Sequence, residues 1–304
     1  MKYIDVLVDG LFVEKLKDLS LKFKADYLAE FCEDSFSAHN IKKIYLDAYA
    51  QQSSAGSDKY PLARKNIVDR FESGAKIINY TGHGGMDYFA DEMVLTTSDI
   101  ENLTNFYRLP IFITATCDVG RYDYYDAASD KTKDSPAEKF LLNESGGAVA
   151  LITSARTVLS NHNFEFNKNV FKNILLPKNF DGSIMRLGDV VRIAKNQTND
   201  YNMLNFTLLG DPALAVASNN FNAEIVKING KDINVFQDTL KALQKVEVEC
   251  RVSDLNGLFS ESFNGRARPI VYDKQSHEKT LNNDGNGVFE YKYFNKIIYN
   301  GDVS

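Results

Sequence analysis

Two side chains able to form and break covalent bonds stand at the ends of strand-like runs. His83 closes "INYTGHGG", and Cys117 closes "LPIFITATC", one short helical stretch later. A thiol is a poor nucleophile until it loses its proton, and a nearby imidazole can take that proton or stabilise the thiolate. The glycines matter as much. "GHGG" lets backbone at Gly84 and Gly85 approach a substrate closely, and the Gly84 amide is free to donate. Together with the Cys117 amide it could hold the oxyanion of a tetrahedral intermediate, worth about 3 kcal/mol per donor. The same residues also read as a Gly-rich turn with a satisfied His83 and a buried Cys117. A phosphate-binding loop is excluded by spacing, because no Lys-Ser/Thr pair follows the glycines.

The elements that must position these residues alternate. "YIDVLVDG", "IKKIYLDAY", "AKIINYTGHGG", "PIFITATC" and "GGAVALITS" read as strands. Helical spacing covers "LFVEKLKDLSLKFKADYLAEFCED", "YPLARKNIVDRFESG", "SDIENL", "SPAEKFLL", "NFEFNKNVFKNIL" and "IMRLGDVVRIAKNQ". Gly74 is placed to end the second helix and Ser98 to cap the third. Ser135, Pro136 and Glu138 spell a capping box with proline at the first helical position. Strands rich in Ile and Val with helices between them imply an α/β fold, a parallel sheet covered on both faces. In such a sheet, ligands gather beyond the carboxyl ends of the strands, where His83 and Cys117 fall. After about residue 218 the texture changes to short alternating strands separated by Asn, Gly and Asp turns. Two domains are expected, 1–217 and 218–304. The second reads as a small antiparallel β domain, an Ig-like sandwich expected to be C-terminally truncated, since "NKIIYNGDVS" ends in strand-like sequence.

Composition narrows the chemistry. Hydrophobic residues make up 44% and charged residues 25% of the 304 residues, ordinary for a folded domain. Net charge is -6 and no basic tract exceeds "IKKI", so no field favours nucleic acid. No run approaches the ~20 apolar residues of a membrane span. The N-terminus reads as a strand and not as a signal peptide, which on its own hints at the cytoplasm. Three cysteines far apart cannot complete a disulfide framework, and four histidines without metal-ligand spacing argue against structural zinc. Cys32 and Cys250 read as inert packing. Asp9, ending the first strand, and Glu92 are the candidates to orient His83. Arg156, past the fifth strand, could bind a substrate carboxylate or simply form a surface ion pair. "YDYYD" reads as a surface loop.

"NYTGHGG", "LPIFITATCDVGRYD", "SPAEKFLLNESGGAVALITSAR" and "NFTLLGDPAL" resemble the gingipain family of cysteine peptidases, which shares a broad group with caspases. "KKIYLDAY", "DEMVLTTSDI" and "DTLKALQKVEVECRVSDLNGLFSESFNGRARPIVYDK" are similar to its PorU branch, the C-terminal signal peptidases (sortases) of type IX secretion. The resemblance implies a caspase/gingipain-like, largely parallel sheet flanked by helices. It implies Cys117 as nucleophile, His83 as general base or imidazolium partner, and Gly84 and Cys117 as oxyanion donors. It further implies secreted cargo with C-terminal signal domains, other secretion components and anionic lipopolysaccharide as partners. The location implied is the outer membrane surface of a Bacteroidota-type bacterium, overriding the cytoplasmic hint. No cofactor or catalytic metal is required, and structural calcium would suit an extracellular enzyme. A gingipain-like secreted endopeptidase, a non-catalytic scaffold of the same fold and a fragment unable to fold alone are the alternatives. Three departures touch substrate preference: Asp118 stands where Glu is expected, Asp91 where His is expected, and "VGRYDYYDAASDKTKD" is long and polar.

Overall fold

The computed structural model describes residues 3–8, 20–35, 40–54, 57–175, 182–183, 185–216, 221–241, 244–254, 257–259, 270–283, 285, 287–293 and 297–300. Six strands build the central sheet: β1 (Tyr3–Val8), β2 (Asn40–Tyr45), β3 (Ile77–Thr81), β4 (Ile111–Ala115), β5 (Ala150–Ser154) and β6 (Phe206–Leu209). Their spatial order is β6-β5-β4-β3-β1-β2, parallel throughout except for the antiparallel edge strand β6. Strand order reverses between β1 and β3, because β2 lies outside β1 and the later strands add on the other side. In open α/β sheets ligands gather near such a switch point, beyond the carboxyl ends of the strands.

Every residue of β3, β4 and β5 is buried, as a strand covered on both faces requires. Alternate residues serve opposite layers. Ile77, Ile111, Ile113 and Ile152 pack with α1 (Ser20–Ser35), α5 (Ser160–Ile174) and α6 (Leu187–Gln197). Ile78, Tyr80, Phe112 and Leu151 pack with α2 (Pro61–Ser73), α3 (Thr97–Glu101) and α4 (Pro136–Leu142). The second layer is aromatic at its centre, with Phe71 stacked on Phe140 at 5.0 Å and edge-on to Phe112 at 5.3 Å. In the first layer Lys43 is buried. Its charge is met by Asp26 of α1 at 2.8 Å, and the Tyr45 hydroxyl donates to the same carboxylate at 2.7 Å. Such a pair fixes where α1 seats on β2 more than it adds stability.

Helix ends follow the sequence with one correction. Gly74 ends α2 at φ +86, its N–H donating to Arg70 and Phe71 carbonyls. Ser135 and Glu138 form the expected reciprocal box before α4. Helix α3 is capped by Thr96, not Ser98: the Thr96 hydroxyl accepts from Asp99 N–H at 3.3 Å, and the Asp99 carboxylate accepts from Thr96 N–H at 2.9 Å. Asp99 completes the box, so the cap sits two residues earlier than the serine suggests.

The chain forms two compact units, residues 1–216 with 272–297, and residues 217–271 with 298–304. In the second, β7 (Phe221–Ile228) and β8 (Val248–Asp254) pair antiparallel with a register shift between Ile225 and Lys227. Cys250 on β8 is exposed, against the expectation of a buried thiol, whereas Cys32 is fully buried in α1. Tyr272–Ile297 reads in sequence as more of the β domain but packs within the first unit. There β9 (Ser276–Lys279) and β10 (Glu290–Tyr293) form a hairpin whose alternation puts Phe289 and Tyr291 on one face. Both rings meet Tyr45 edge-on, at 5.6 and 4.6 Å. Asp47 fixes the approach, its carbonyl accepting from Leu281 N–H and its carboxylate from Asn283 N–H, each at 2.7 Å.

Candidate active site

Register places His83 and Cys117 at corresponding positions past the ends of adjacent strands. Parallel pairing matches Thr81 of β3 with Ala115 of β4, and His83 and Cys117 each lie two residues beyond their partner. Equal offsets keep the two at the same height and, with a period of two, on the same face. Packing supports the face, since Cys117 lies against the layer built by α1, α5 and α6. Contact supports the height, because a Cβ added to Gly84 would lie 2.7 Å from Thr116 Oγ1 and 2.9 Å from Val119 Cγ2. The residues flanking Cys117 therefore press directly on the residue after His83.

Each side chain has its own scaffold. The His83 carbonyl accepts from Ala90 N–H at 2.9 Å and from the Tyr80 hydroxyl at 2.6 Å. These bonds tie it to the short hairpin Tyr88–Phe89/Leu95–Thr96. After Cys117 the backbone turns at Asp118, whose φ of 56 is one that Asp tolerates better than most side chains. The turn is stitched to the end of β5: Asp118 N–H donates to Arg156 O, Gly120 N–H to Ser154 O at 2.8 Å, and Ser154 Oγ to Thr116 O. Gly120 is required there, because any Cβ would lie 2.3 Å from Thr153 Cγ2.

Among the described residues, no hydrogen bond takes up the backbone N–H of Gly84 or of Cys117. Amide donors without a protein acceptor are costly inside a fold unless something else binds them. The Cys117 sulfur is held by Val158, whose N–H donates to Sγ at 3.4 Å and whose carbonyl lies 3.5 Å away. Burial raises the Cys117 pKa above its ordinary 9.0, the Val158 N–H opposes this, and Asp118 adds to it. Burial lowers the His83 pKa below 6.5, and the charge of Asp91 opposes that. At neutral pH the site therefore rests as a neutral thiol and a neutral imidazole, the protonation states that suit His83 as a general base. The expected result is a broad plateau in kcat/KM against pH, falling on the acid side below 6.5 as His83 protonates and on the alkaline side above 9.0. A profile whose acid limb lies near pH 4 would instead report a standing thiolate-imidazolium pair.

The remaining candidates separate. Asp9 lies outside the described residues. The charge of Asp91 reaches His83, while Asp91 and Asp58 both oppose ionisation of Glu92. The sequence marks Asp91 only as an unexpected residue, and adjacency to Glu92 was the sole signal available. Arg156 forms a two-pronged ion pair with Asp123, with N–O distances of 2.8 and 2.5 Å, the surface pair weighed against a substrate role. The Asp118 carboxylate accepts from Thr157 Oγ1 at 3.2 Å, beside the thiol loop. Gly85 N–H donates to Tyr88 O, so it braces the hairpin. Histidines 162 and 277 sit against Asp200 and Glu290, far in sequence from this chemistry, and His39 lies outside the described residues. Among the described residues no cluster of His, Cys, Asp and Glu is arranged to hold a metal ion. None of their helices is long and apolar enough to cross a membrane.

The sequence profile of peptidase family C25 matches residues 6–217. The chain belongs to that family. A search of curated proteins found no match. Gingipain R (RgpB), described as an Arg-specific cysteine proteinase, superposes with a TM-score of 0.51 at 19% identity, covering 73% of this chain and 50% of that one. The complex of Porphyromonas gingivalis RgpB pro- and mature domains gives 0.52 at 20% identity, covering 74% and 51%. Dimeric latent PorU from Porphyromonas gingivalis aligns at 14% identity with a TM-score of 0.27, covering 99% of this chain and 38% of that one. The chain thus spans about half the length of the gingipain R chains it matches. The family match ends at the boundary of the first unit's continuous stretch, and the likeness to gingipain R is one of fold.

Within this C25 fold, Gly84 has no room for a side chain beside the loop that carries Cys117. Gly84→Ala forces its Cβ against Thr116 and Val119, displacing the free amide. The expected loss in kcat/KM is about 10²-fold, the scale of losing one oxyanion donor. Thr116→Ala in the same chain should restore part of it by vacating the contact. Steady-state kinetics on the single and double variants checks both.

Proposed function

We propose that the chain is a cysteine endopeptidase acting by acyl transfer, with Cys117 as nucleophile and His83 as general base. The observation that carries this reading is the pair of uncommitted amides at Gly84 and Cys117, placed at register-matched ends of adjacent strands. Cys117 Sγ attacks a peptide carbonyl while its proton passes to His83. The new oxyanion accepts from the two amides. Collapse of the intermediate breaks the C–N bond, and His83 returns the proton to the departing amine. The thioester is resolved by water, or by an amine that becomes joined to the new carboxyl end. To reach the carbonyl, the Cys117 thiol leaves its contact with Val158. The reaction needs no cofactor.

The substrate we propose is a secreted protein carrying a C-terminal β-sandwich signal domain, cleaved at the cell surface of a Gram-negative bacterium as part of type IX secretion. Transfer to anionic lipopolysaccharide is the amine-resolved branch. The support is the run of PorU-like segments, "DEMVLTTSDI" and "RVSDLNGLFSESFNGRARPIVYDK" among them.

The test is a folded carrier fused to a C-terminal β-sandwich domain, incubated with the full chain and read by intact mass. Cleavage just before the sandwich domain, absent with Cys117→Ala, is the expected result, with an added aminosugar appearing as an adduct if an amine resolves the thioester. Cleavage with no preference for that junction supports the secreted-endopeptidase alternative. Identical results for wild type and Cys117→Ala would overturn catalysis and leave the scaffold and fragment alternatives.

A further inference from the structure

On the other side of the sheet from Cys117 lies a cavity of about 360 Å³, between α2 and the limb that follows Glu92. Tyr60, Val68 and Val94 belong to the opposite packing layer and give it an apolar wall. Glu92 lines it, and its Oε2 is fully buried with no hydrogen-bond partner. A buried carboxylate oxygen without a donor costs several times what an ordinary hydrogen bond contributes. It is held there by a tight turn in which Ala90 and Met93, on either side, both take positive φ, 59 and 54. Such backbone is sparsely populated and persists only where its surroundings enforce it.

The charges around the cavity leave the carboxylate unanswered. Arg64 is committed to Asp99 at 2.7 Å, and Lys65 is paired with Asp69. Asp58 and Asp91 both oppose ionisation of Glu92, while its own backbone N–H favours it. Setting the two ion pairs aside, Asp58, Asp91 and Glu92 carry three negative charges against one positive charge, that of exposed Lys59. The excess is negative, and the missing partner is a hydrogen-bond donor.

We propose that this cavity binds a primary ammonium on an aliphatic arm, a lysine-like side chain or alkylamine, with the ammonium donating to Glu92 and the arm lying along Tyr60, Val68 and Val94. The site is separate from the one that would hold the scissile peptide. It reaches His83 through one link, because the turn bearing Glu92 begins at Ala90, whose N–H donates to the His83 carbonyl. An occupant would thus brace the hairpin on which His83 depends.

Binding requires ionised Glu92. Burial, the first cause, pushes its pKa up to about 7, so the group is mostly neutral at pH 6 and mostly charged at pH 8. Apparent affinity scales with the competent fraction, so it should be roughly ten-fold weaker at pH 6 than at pH 8.

The experiment titrates the full 304-residue chain with n-butylammonium chloride and with Nα-acetyl-lysine N-methylamide, following ligand-observed NMR and thermal stability, with tetramethylammonium as control. The expected result is saturable binding of both amines but not of the control, ten-fold weaker at pH 6. It should be lost in Glu92→Gln and, with Glu92 intact, in Val68→Phe, which fills the cavity. Tighter binding of the lysine derivative would assign the site to a polypeptide side chain, and equal binding to free amines. No saturable binding up to about 20 mM, a free energy weaker than ~2.3 kcal/mol, would overturn the proposal. So would binding untouched by both variants.

Discussion

Cys117→Ala should lower peptide-bond cleavage by about 10⁵-fold, and His83→Ala by nearly as much. The double variant should be no slower than Cys117→Ala alone. Residues that act in one proton-coupled step lose their value together, leaving the residual rate supplied by binding and the oxyanion amides. The structure gives the reason for expecting such dependence. Burial keeps the Cys117 thiol above its ordinary pKa, so without His83 to take the proton little nucleophile exists at neutral pH. Cys32 cannot substitute, being fully buried with its pKa pushed up to about 12, chiefly by that burial. Kinetics on the three variants, with thermal unfolding to confirm that each is folded, checks the result. Losses that multiply would mean that His83 and Cys117 act in separate steps.

Phe289→Ala should destabilise the first unit by about 3–5 kcal/mol, the usual cost of emptying a buried aromatic site. At this chain length that corresponds to a fall in Tm of roughly 10 °C. The prediction is a strong one because Phe289 lies seventy-two residues past the end of the family match at 217, in sequence that reads as another domain. Yet it is 3% exposed, edge-on to Tyr45 of β2 and stacked on Tyr291 at 5.9 Å. Thr280 and Phe289 exchange two hydrogen bonds of 2.9 Å that fix the ring's approach. The control is Lys292→Ala on the same hairpin, whose exposed, solvent-screened pair with Glu30 should contribute little. Calorimetry separates the two. A cost for Phe289→Ala no larger than for Lys292→Ala would show that the hairpin is dispensable to the unit.

The central strands were legible because a strand buried on both faces is written as an unbroken apolar run. "KIINYT" and "PIFITA" have few other readings. That His83 and Cys117 follow such runs was legible too. What sequence does not carry is register, and the pairing of Thr81 with Ala115 is what sets the two strand ends at matching positions. The antiparallel β6 was hidden in "NFTLLG", because a four-residue edge strand has too few residues to show a period. The return of residues 272–297 was hidden for the opposite reason. "VFEYKY" alternates cleanly, but alternation names a face and not the partner that covers it. Main-chain contacts leave no trace in side-chain identity, so the hold of Val158 on the Cys117 sulfur could not be foreseen. Nor could the charge of Asp91 at His83, since residues 90 to 93 make a turn whose positive φ values sequence does not announce.

The most direct test of the central claim is affinity labelling with a panel of peptidyl chloromethyl ketones, read by peptide mass mapping. In these reagents the Cys117 sulfur displaces chloride from the methylene carbon to form a thioether, its proton passing to His83, while the ketone oxygen occupies the place of the scissile carbonyl within reach of the oxyanion amides. The account predicts saturable labelling of Cys117 in preference to Cys32 and to the exposed Cys250, abolished by His83→Ala and strongly slowed by Gly84→Ala. Labelling of Cys250 as fast as Cys117, or labelling of Cys117 indifferent to His83, would contradict it.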